Sequence, residues 1–180
     1  MVITTTRQMQ RTEIPAIWGI DRSEVIHGFY HLVEGELVYT AKPLKATGWP
    51  AGEAELYTPL LEECFDHGGW FWGVFAGARL VAIAVLEARF IGDPPDQLQL
   101  AFLHVDRAFR GQGLGRQLFA QASAEAASRG AKRLYISATP TDHTIQFYLS
   151  LGCTLAARPD PQLYAREPDD IHLEYEIPNP

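Results

Sequence analysis

A glycine-rich loop between an apolar strand and a helix constrains the fold of this chain more than any other feature. Residues 98–105 are almost continuously apolar, which is typical of a strand covered on both faces. Residues 110–115 form the loop, and Leu118, Ala122 and Ala126 then recur at helical spacing. A helix that begins at such a loop presents unpaired backbone N–H groups and the positive end of its dipole. The sequence therefore predicts a strand–loop–helix unit that can bind a phosphate or pyrophosphate.

The other strong patterns predict a mixed α/β fold. A helical pattern ends at residues 66–69, and two strand-like runs, 70–75 and 80–90, flank a turn at Gly77. After the glycine loop and its helix, the patterns predict a strand, a short helix and a half-exposed strand, over residues 134–138, 142–149 and 171–177. Antiparallel hairpins therefore come first, and a strand–helix–strand–helix–strand order follows.

The first 50 residues carry weaker patterns. Residues 14–18 look like the opening of a short helix, and we expect a second helix over 23–31. Residues 33–38 predict a small hairpin that turns at glycine 35, whereas the prolines and glycines of 42–52 predict a loop. His27 and His31 would share one face of the predicted helix. With no third ligand nearby in the sequence, we expect no metal site there.

Length and composition exclude several classes of protein. A chain of 180 residues with 47% hydrophobic and 21% charged residues fits one globular domain. The net charge of −7 argues against nucleic acid binding and weakly favours a cationic substrate. No apolar run approaches the roughly 20 residues that span a bilayer, so we expect no membrane partner. Cys64 and Cys153 lack CxxC spacing and predict buried free thiols in a reducing compartment, which we take to be the cytoplasm.

The spacing of the loop narrows the choice of ligand. The pattern is GxGxG over Gly111, Gly113 and Gly115, not the GxGxxG of dinucleotide-binding folds. The sequence also lacks a Walker loop, so a nucleotide-binding switch has almost no support. Arg110 and Arg116 bracket the glycines with positive charge.

Two segments resemble the GNAT superfamily of N-acetyltransferases. Residues 103–115, LHVDRAFRGQGLG, are similar to its acyl-CoA signature, whose core corresponds to Arg110, Gly113 and Gly115. Residues 147–153, FYLSLGC, are similar to its Phe-Tyr-x-x-x-Gly-Phe segment. The resemblance covers residues 68–178. It implies a central mixed sheet flanked by helices, in which antiparallel N-terminal strands precede a splayed parallel pair.

The resemblance also implies where acetyl-CoA binds. Residues 1–180 would form a single acetyltransferase domain, with 1–67 as a variable acceptor side and 68–178 as the acetyl-CoA-binding core. The pantetheine would pair with the strand backbone at Leu103 and Val105, with His104 between them. Similar proteins are often dimers, so a homodimer is a further expectation. The pyrophosphate would bind the loop, whose members are Arg110, Gly111, Gln112, Gly113, Gly115 and Arg116.

The implied reaction is direct transfer of acetyl from acetyl-CoA to a primary amine of a small molecule. Glu87 is our first candidate for the base that takes the amine proton, with His104 and Asp106 as alternatives. Tyr148 is the candidate acid that protonates the departing CoA thiolate. The non-catalytic alternatives are that Glu87 is a solvated strand carboxylate and that the ring of Tyr148 only packs against its neighbours.

The sequence departs from the family pattern at several positions. Thr141 and Thr144 stand where Asn and Ala are frequent, and Cys153 replaces a phenylalanine. Phe102 occupies the position where many members carry a glutamate as general base. These departures keep open a second hypothesis, a catalytically weak acyl-CoA-binding module of the same fold.

Three tryptophans could line a pocket for an aromatic or cationic substrate. Trp49 lies in a segment rich in proline and glycine, so we keep it as a candidate substrate contact. For Trp70 and Trp72 we favour packing in the core.

Overall fold

The computed structural model describes residues 3–178, in which a mixed sheet is flanked by helices. Two 3-10 helices cover Arg11–Gly19 and Arg107–Phe109. The α-helices are α1 (Glu53–Asp66), α2 (Leu114–Ser128), α3 (Asp142–Ser150) and α4 (Pro161–Arg166). The strands are β1 (Thr4–Gln8), β2 (Glu24–Val33), β3 (Glu36–Ala46), β4 (Trp70–Ala76), β5 (Arg79–Ile91), β6 (Gln97–Val105), β7 (Arg133–Ala138), β8 (Thr154–Leu155) and β9 (Ile171–Glu176).

The order of the strands confirms the predicted mixed α/β fold. Seven strands are hydrogen-bonded in the order β1-β4-β5-β6-β7-β9-β8, and β2 and β3 pair separately. The pairs β1–β4, β4–β5, β7–β9 and β8–β9 are antiparallel, whereas β6 and β7 are parallel. The parallel register joins residues 97–99 to residues 133–135. Within the described chain, no pairing with β7 is recorded for the rest of β6.

The first of two compact units contains the glycine loop. It comprises the residues up to Glu24, Thr47–Arg89 and Leu100–Glu125. Apolar side chains from the first 3-10 helix, α1 and the strands form its core, in which Ile14 and Phe71 are fully buried. This core supports β6 and therefore fixes the start of the loop that follows it.

The second unit contains the β2–β3 hairpin and α3. It comprises Val25–Ala46, Phe90–Gln99 and the residues from Ala126 onward. Leu134 on β7 and Ile145 on α3 are fully buried, as the alternation on the strand and the helical spacing predict.

Two expectations for the first 50 residues are wrong. Residues 23–31 form most of strand β2 rather than a helix, and β3 runs to Ala46, into the segment predicted as a loop. The predicted turn at Gly35, where φ is +84°, is confirmed, but the hairpin around it is much longer. Strand β2 is rich in aromatic and β-branched residues, which suit a pleated backbone better than a helix.

Backbone partners outside the hairpin also keep β2 extended. Tyr30 donates its N–H to the carbonyl oxygen of Pro140 over 2.8 Å. Phe29 forms an isolated antiparallel bridge with Thr141. In a helix these backbone groups would form hydrogen bonds within the helix instead. The contacts with residues 140 and 141 therefore stabilise the extended conformation of β2.

The sequence patterns missed three short elements, β1, β8 and α4. Strand β1 is polar and mostly exposed, so it carries no apolar alternation. Cys64 and Cys153 are buried free thiols, as predicted. No α-helix between residues 3 and 178 combines the length and apolarity that a membrane crossing requires.

Candidate active site

The glycine loop after β6 is exposed and rich in unpaired amides. Gly111 and Gly113 have φ angles of +75° and +82°, a left-handed conformation that favours glycine. A Cβ at either position would meet no other atom within 4 Å. In the described part of the chain, no acceptor is recorded for the backbone N–H groups of Gly111, Gln112 and Gly113. With α2 starting at Leu114, these donors and the helix dipole form a site suited to an anion such as a pyrophosphate.

Asp106 holds the segment that leads into this loop. Its buried carboxylate accepts hydrogen bonds from the N–H groups of Ala108, at 3.0 Å, and Asp21, at 3.1 Å. The same carboxylate forms an ion pair with Arg79. Because both of its oxygens are engaged away from solvent, the geometry argues against Asp106 as the base.

Arg110, the first residue of the loop, is tied to two other segments. Its Nε donates to the carbonyl oxygen of Val105 over 3.0 Å, and its Nη1 donates to that of Ser23 over 3.2 Å. The carboxylate of Glu24 lies 3.9 Å from Nη1. The guanidinium therefore fixes the loop against the end of β6 and keeps a positive charge beside the free amides.

His104 lies on β6 against two aromatic rings and is mostly buried. Its ring centroid is 4.8 Å from that of Trp49 and 5.3 Å from that of Phe102. Burial, with a smaller contribution from the charges of Arg22 and Arg110, lowers the pKa of His104 to about 3. An imidazole with this pKa is neutral at pH 7 but is a weak proton acceptor, which disfavours His104 as the base.

The indole of Trp49 is already engaged within the protein. Its Nε1 donates to the carbonyl oxygen of Ile20 over 2.9 Å, and the guanidinium of Arg22 lies 4.7 Å from its ring centroid. The geometry thus favours packing over substrate contact for Trp49. Trp70 is buried and stacks on Trp72, with ring centroids 5.4 Å apart, in agreement with core packing.

Glu87 is a half-buried carboxylate on β5. In the described residues no hydrogen bond or ion pair is recorded for it. Phe102 is buried and packs edge-on against Trp18 and Tyr57, with centroid distances of 6.2 and 5.8 Å. An aromatic core residue therefore replaces the carboxylate that many family members have on this strand, and Glu87 keeps its place as first candidate.

Tyr148 is buried on α3. Burial, and to a lesser extent Cys153, raises the pKa of the Tyr148 phenol, so it stays protonated over the whole neutral range. Burial also raises the pKa of the Cys153 thiol to about 12, which makes that thiol unreactive.

The two threonines that depart from the family pattern are hydrogen-bonded to each other. The Thr141 hydroxyl donates to the Thr144 hydroxyl over 2.9 Å.

The structure separates His27 from His31. Both lie on strand β2, where residues four apart are about 13 Å from each other, too far to share an ion. His27 lies instead beside Asp142 and His143, and the ligand atoms of these three residues are within 4.8 Å of one another. Sequence spacing gave no sign of this cluster, since more than a hundred residues separate its two parts.

Sequence reasoning also missed Arg79 and Arg22. Arg79 begins β5 and pairs with Asp106, and Arg22 stacks on Trp49 and pairs with Glu53 over 3.3 Å. No local pattern identifies such long-range partners, because the sequence around an arginine in a turn or loop is the same whether or not the side chain has one.

The mixed sheet and the open glycine loop at the start of α2 are the arrangement that the resemblance to the GNAT acetyltransferases implies. Residues 36–153 match the family described as "Acetyltransferase (GNAT) family", and this match spans more than half of the chain. The chain therefore belongs to the GNAT family of acetyltransferases. No curated protein sequence matches it.

Solved structures with the same fold are similar over nearly the whole chain. Nourseothricin acetyltransferase has a TM-score of 0.73 at 20% identity, over 97% of this chain and 99% of its own. A putative streptothricin acetyltransferase from Bacillus anthracis str. Ames, in complex with acetyl coenzyme A, has a TM-score of 0.69 at 14% identity, over 98% and 99%. The ribosomal-protein-S18-alanine N-acetyltransferase from Escherichia coli has a TM-score of 0.61 at 18% identity, over 99% and 96%. At these identities the similarity concerns the fold.

Proposed function

We propose that this protein transfers an acetyl group from acetyl-CoA to a primary amine of a small molecule by direct attack. One observation carries the proposal: the amides of Gly111, Gln112 and Gly113 lack an acceptor in the described chain and lie at the start of α2. A run of free amides at a helix N-terminus costs little to leave exposed and binds an anion without any side chain. In a GNAT acetyltransferase, the anion that would bind there is the pyrophosphate of acetyl-CoA.

The rest of acetyl-CoA would follow the edge of β6. The pairing with β7 is recorded over residues 97–99, so the backbone around Leu103 has no recorded strand partner on that edge. A pantetheine arm, with amides of its own, would add there like a short strand. The carbonyl of Val105 already accepts from Arg110, which would mark the end of this added pairing at the loop. The complex of the Bacillus anthracis relative with acetyl coenzyme A supports this choice of donor.

Proton transfer is assigned to two groups. The neutral amine nitrogen would attack the thioester carbon, the carbon–sulfur bond would break, and the CoA thiolate would leave. Glu87 would take the proton from the amine, since it is the candidate carboxylate without a recorded partner. Tyr148 would protonate the thiolate: burial keeps its phenol protonated and available as a donor, although the same burial makes it a weaker acid than a free phenol.

A small cationic amine is the acceptor class we favour. The net charge of −7 favours the approach of a cation. Two structures of the same fold are, by name, nourseothricin and streptothricin acetyltransferases, and the Escherichia coli relative is named for a ribosomal protein.

The buried free thiols Cys64 and Cys153 support a reducing compartment, and we propose the cytoplasm.

Release of free CoA thiol in the presence of acetyl-CoA and a panel of amines tests the proposal. The panel would contain polyamines, amino acids, amine-bearing antibiotics and a peptide with a free N-terminus. Amine-dependent CoA release above the rate without amine supports an enzyme. Tight acetyl-CoA binding with no release from any amine would favour the acyl-CoA-binding module instead. Release only with the peptide would overturn the small-molecule assignment.

A further inference from the structure

Two histidines and an aspartate from distant parts of the sequence meet beside the start of α3. His27 lies on β2, and Asp142 and His143 are the first two residues of α3. Their ligand atoms all lie within 4.8 Å of one another. Two imidazoles and a carboxylate are a donor set that divalent transition metals bind well. We propose that His27, Asp142 and His143 form a binding site for a divalent transition-metal ion such as Zn²⁺.

The backbone holds the three positions together without an ion. The N–H of His27 donates to Oδ1 of Asp142 over 3.3 Å. Phe29 and Thr141, each within two residues of the cluster, form a bridge between the two segments. A site whose backbone is already assembled pays little ordering entropy when an ion binds, which favours affinity.

The side chains of the three residues have ligand atoms available for a metal ion. Oδ2 of Asp142 lies 3.9 Å from Nε2 of His143, which is beyond hydrogen-bonding distance, although Asp142 is buried. Both histidines are exposed, and their ring centroids are 5.7 Å apart. For neither imidazole is a hydrogen bond recorded among residues 3–178. A buried carboxylate oxygen that faces an imidazole without bonding to it would gain a partner from a cation.

Small side-chain rotations would complete the coordination. Around a tetrahedral Zn²⁺ with bonds of about 2.0–2.2 Å, ligand atoms are roughly 3.4 Å apart. The present limit of 4.8 Å is therefore about 1.4 Å too wide, and exposed imidazoles can close such a gap by rotating about their side-chain bonds. Three protein ligands leave a fourth position for water. The ion would link strand β2 to the first turn of α3.

Metal titration of ligand-site variants tests this site. Protein without a polyhistidine tag, stripped with a chelator, would be titrated with Zn²⁺ by calorimetry and with Co²⁺ by visible absorption. We expect one ion per chain. We expect His27→Ala and His143→Ala each to weaken binding by at least the roughly 10- to 100-fold that loss of an outer-shell partner costs. Asp142→Asn keeps an acceptor for the His27 N–H but removes the charge, and it should weaken binding as well.

A matched control lies on the same strand. His31→Ala removes an imidazole four residues along β2, outside the cluster, and should bind Zn²⁺ like the wild type. Zn²⁺ should also raise the thermal midpoint of the wild type and of His31→Ala, but not that of His27→Ala. Circular dichroism checks that each variant is folded, and His143, as an exposed residue, is the variant least expected to perturb the fold.

Three results would overturn the proposal. One is a wild type that binds neither ion. Another is binding that survives unchanged in both His27→Ala and His143→Ala. The third is a thiolate-to-cobalt charge-transfer band, which would place the ion on Cys64 or Cys153 instead.

Discussion

The indole of Trp49 meets the imidazole of His104 edge-on, with an angle of 70° between the ring planes. On the same strand as His104, Phe102 borders the imidazole as well. Two aromatic rings shield the imidazole from much of the surrounding water, and water is what would stabilise its charged form. The contact between Trp49 and His104 therefore makes His104 a neutral residue whose protonation opposes folding.

The substitution His104→Phe should flatten the acid side of the stability profile. The pKa of His104 falls from 6.5 to about 3 on folding, so the unfolded chain binds the proton first as the pH decreases. Stability that depends on the neutral imidazole is fully present above about pH 6.5 and is lost as the pH falls toward 3. Urea unfolding of the wild type and the variant across this range measures the difference. The exposed His67, replaced by Gln, serves as control, and parallel profiles for wild type and His104→Phe would contradict the prediction.

Arg110→Lys should weaken CoA binding although it keeps the positive charge. A single ammonium cannot make the separate hydrogen bonds that Nε and Nη1 make to Val105 and Ser23. Loss of one hydrogen bond costs about 0.5–1.5 kcal/mol, so we expect the affinity for CoA to fall roughly 2- to 13-fold. Calorimetric titration with CoA measures the change. Arg129→Lys, directly after α2, is the control, and an unaltered dissociation constant for Arg110→Lys would exclude a role for these bonds.

Gly113→Val should weaken acetyl-CoA binding by about 1–3 kcal/mol or more, through backbone strain and a side chain in the path of the pyrophosphate. Gly77→Val is a matched control, because Gly77 also has a positive φ, +62°, and open space around a Cβ. Both variants carry the same kind of strain, but Gly77 lies in the β4–β5 turn. Calorimetry should show loss of affinity in the folded Gly113 variant alone. Equal acetyl-CoA affinities in the two variants would contradict the assignment of the pyrophosphate site to this loop.

Glu87→Gln should lower kcat/KM by about 10²–10⁴-fold and remove the acid limb of the pH–rate profile, because an amide cannot take the proton of the amine. The test uses the best amine from the panel, with rates measured from acid to alkaline pH. Acetyl-CoA affinity should be close to that of the wild type. If the variant retains the profile of the wild type, bulk water or another group takes the proton and Glu87 is a solvated strand residue.

Tyr148→Phe should lower kcat by roughly 10²–10³-fold and leave acetyl-CoA affinity within a few-fold of the wild type, because the ring and its burial stay while the proton is lost. Tyr164→Phe removes the same hydroxyl from an exposed tyrosine on α4 and should change neither quantity. A Tyr148→Phe enzyme that turns over at the wild-type rate would show that Tyr148 is structural.

Local patterns predicted the part of the fold that local interactions determine. The helix after the glycine loop follows from the spacing of Leu118 and Ala122, both of which are fully buried. The prediction for β2 missed the strand preference of its aromatic and β-branched residues, and it could not include the backbone contacts to residues 140–142, which lie more than a hundred positions away. The ion pair between Arg79 and Asp106 could not be predicted either, because Arg79 begins β5, Asp106 follows β6 and no local pattern connects them.

The segment between the first 3-10 helix and β2 is joined to the glycine-loop side of the molecule almost entirely through its main chain. The N–H of Asp21 binds Asp106, its carbonyl accepts from the N–H of Arg107 over 2.7 Å, and the carbonyl of Ser23 accepts from Arg110. Main-chain groups are the same for nearly every amino acid, so side chains here can be exchanged without loosening the loop. Sequence drift in this short segment would therefore leave the anchoring of the glycine loop intact.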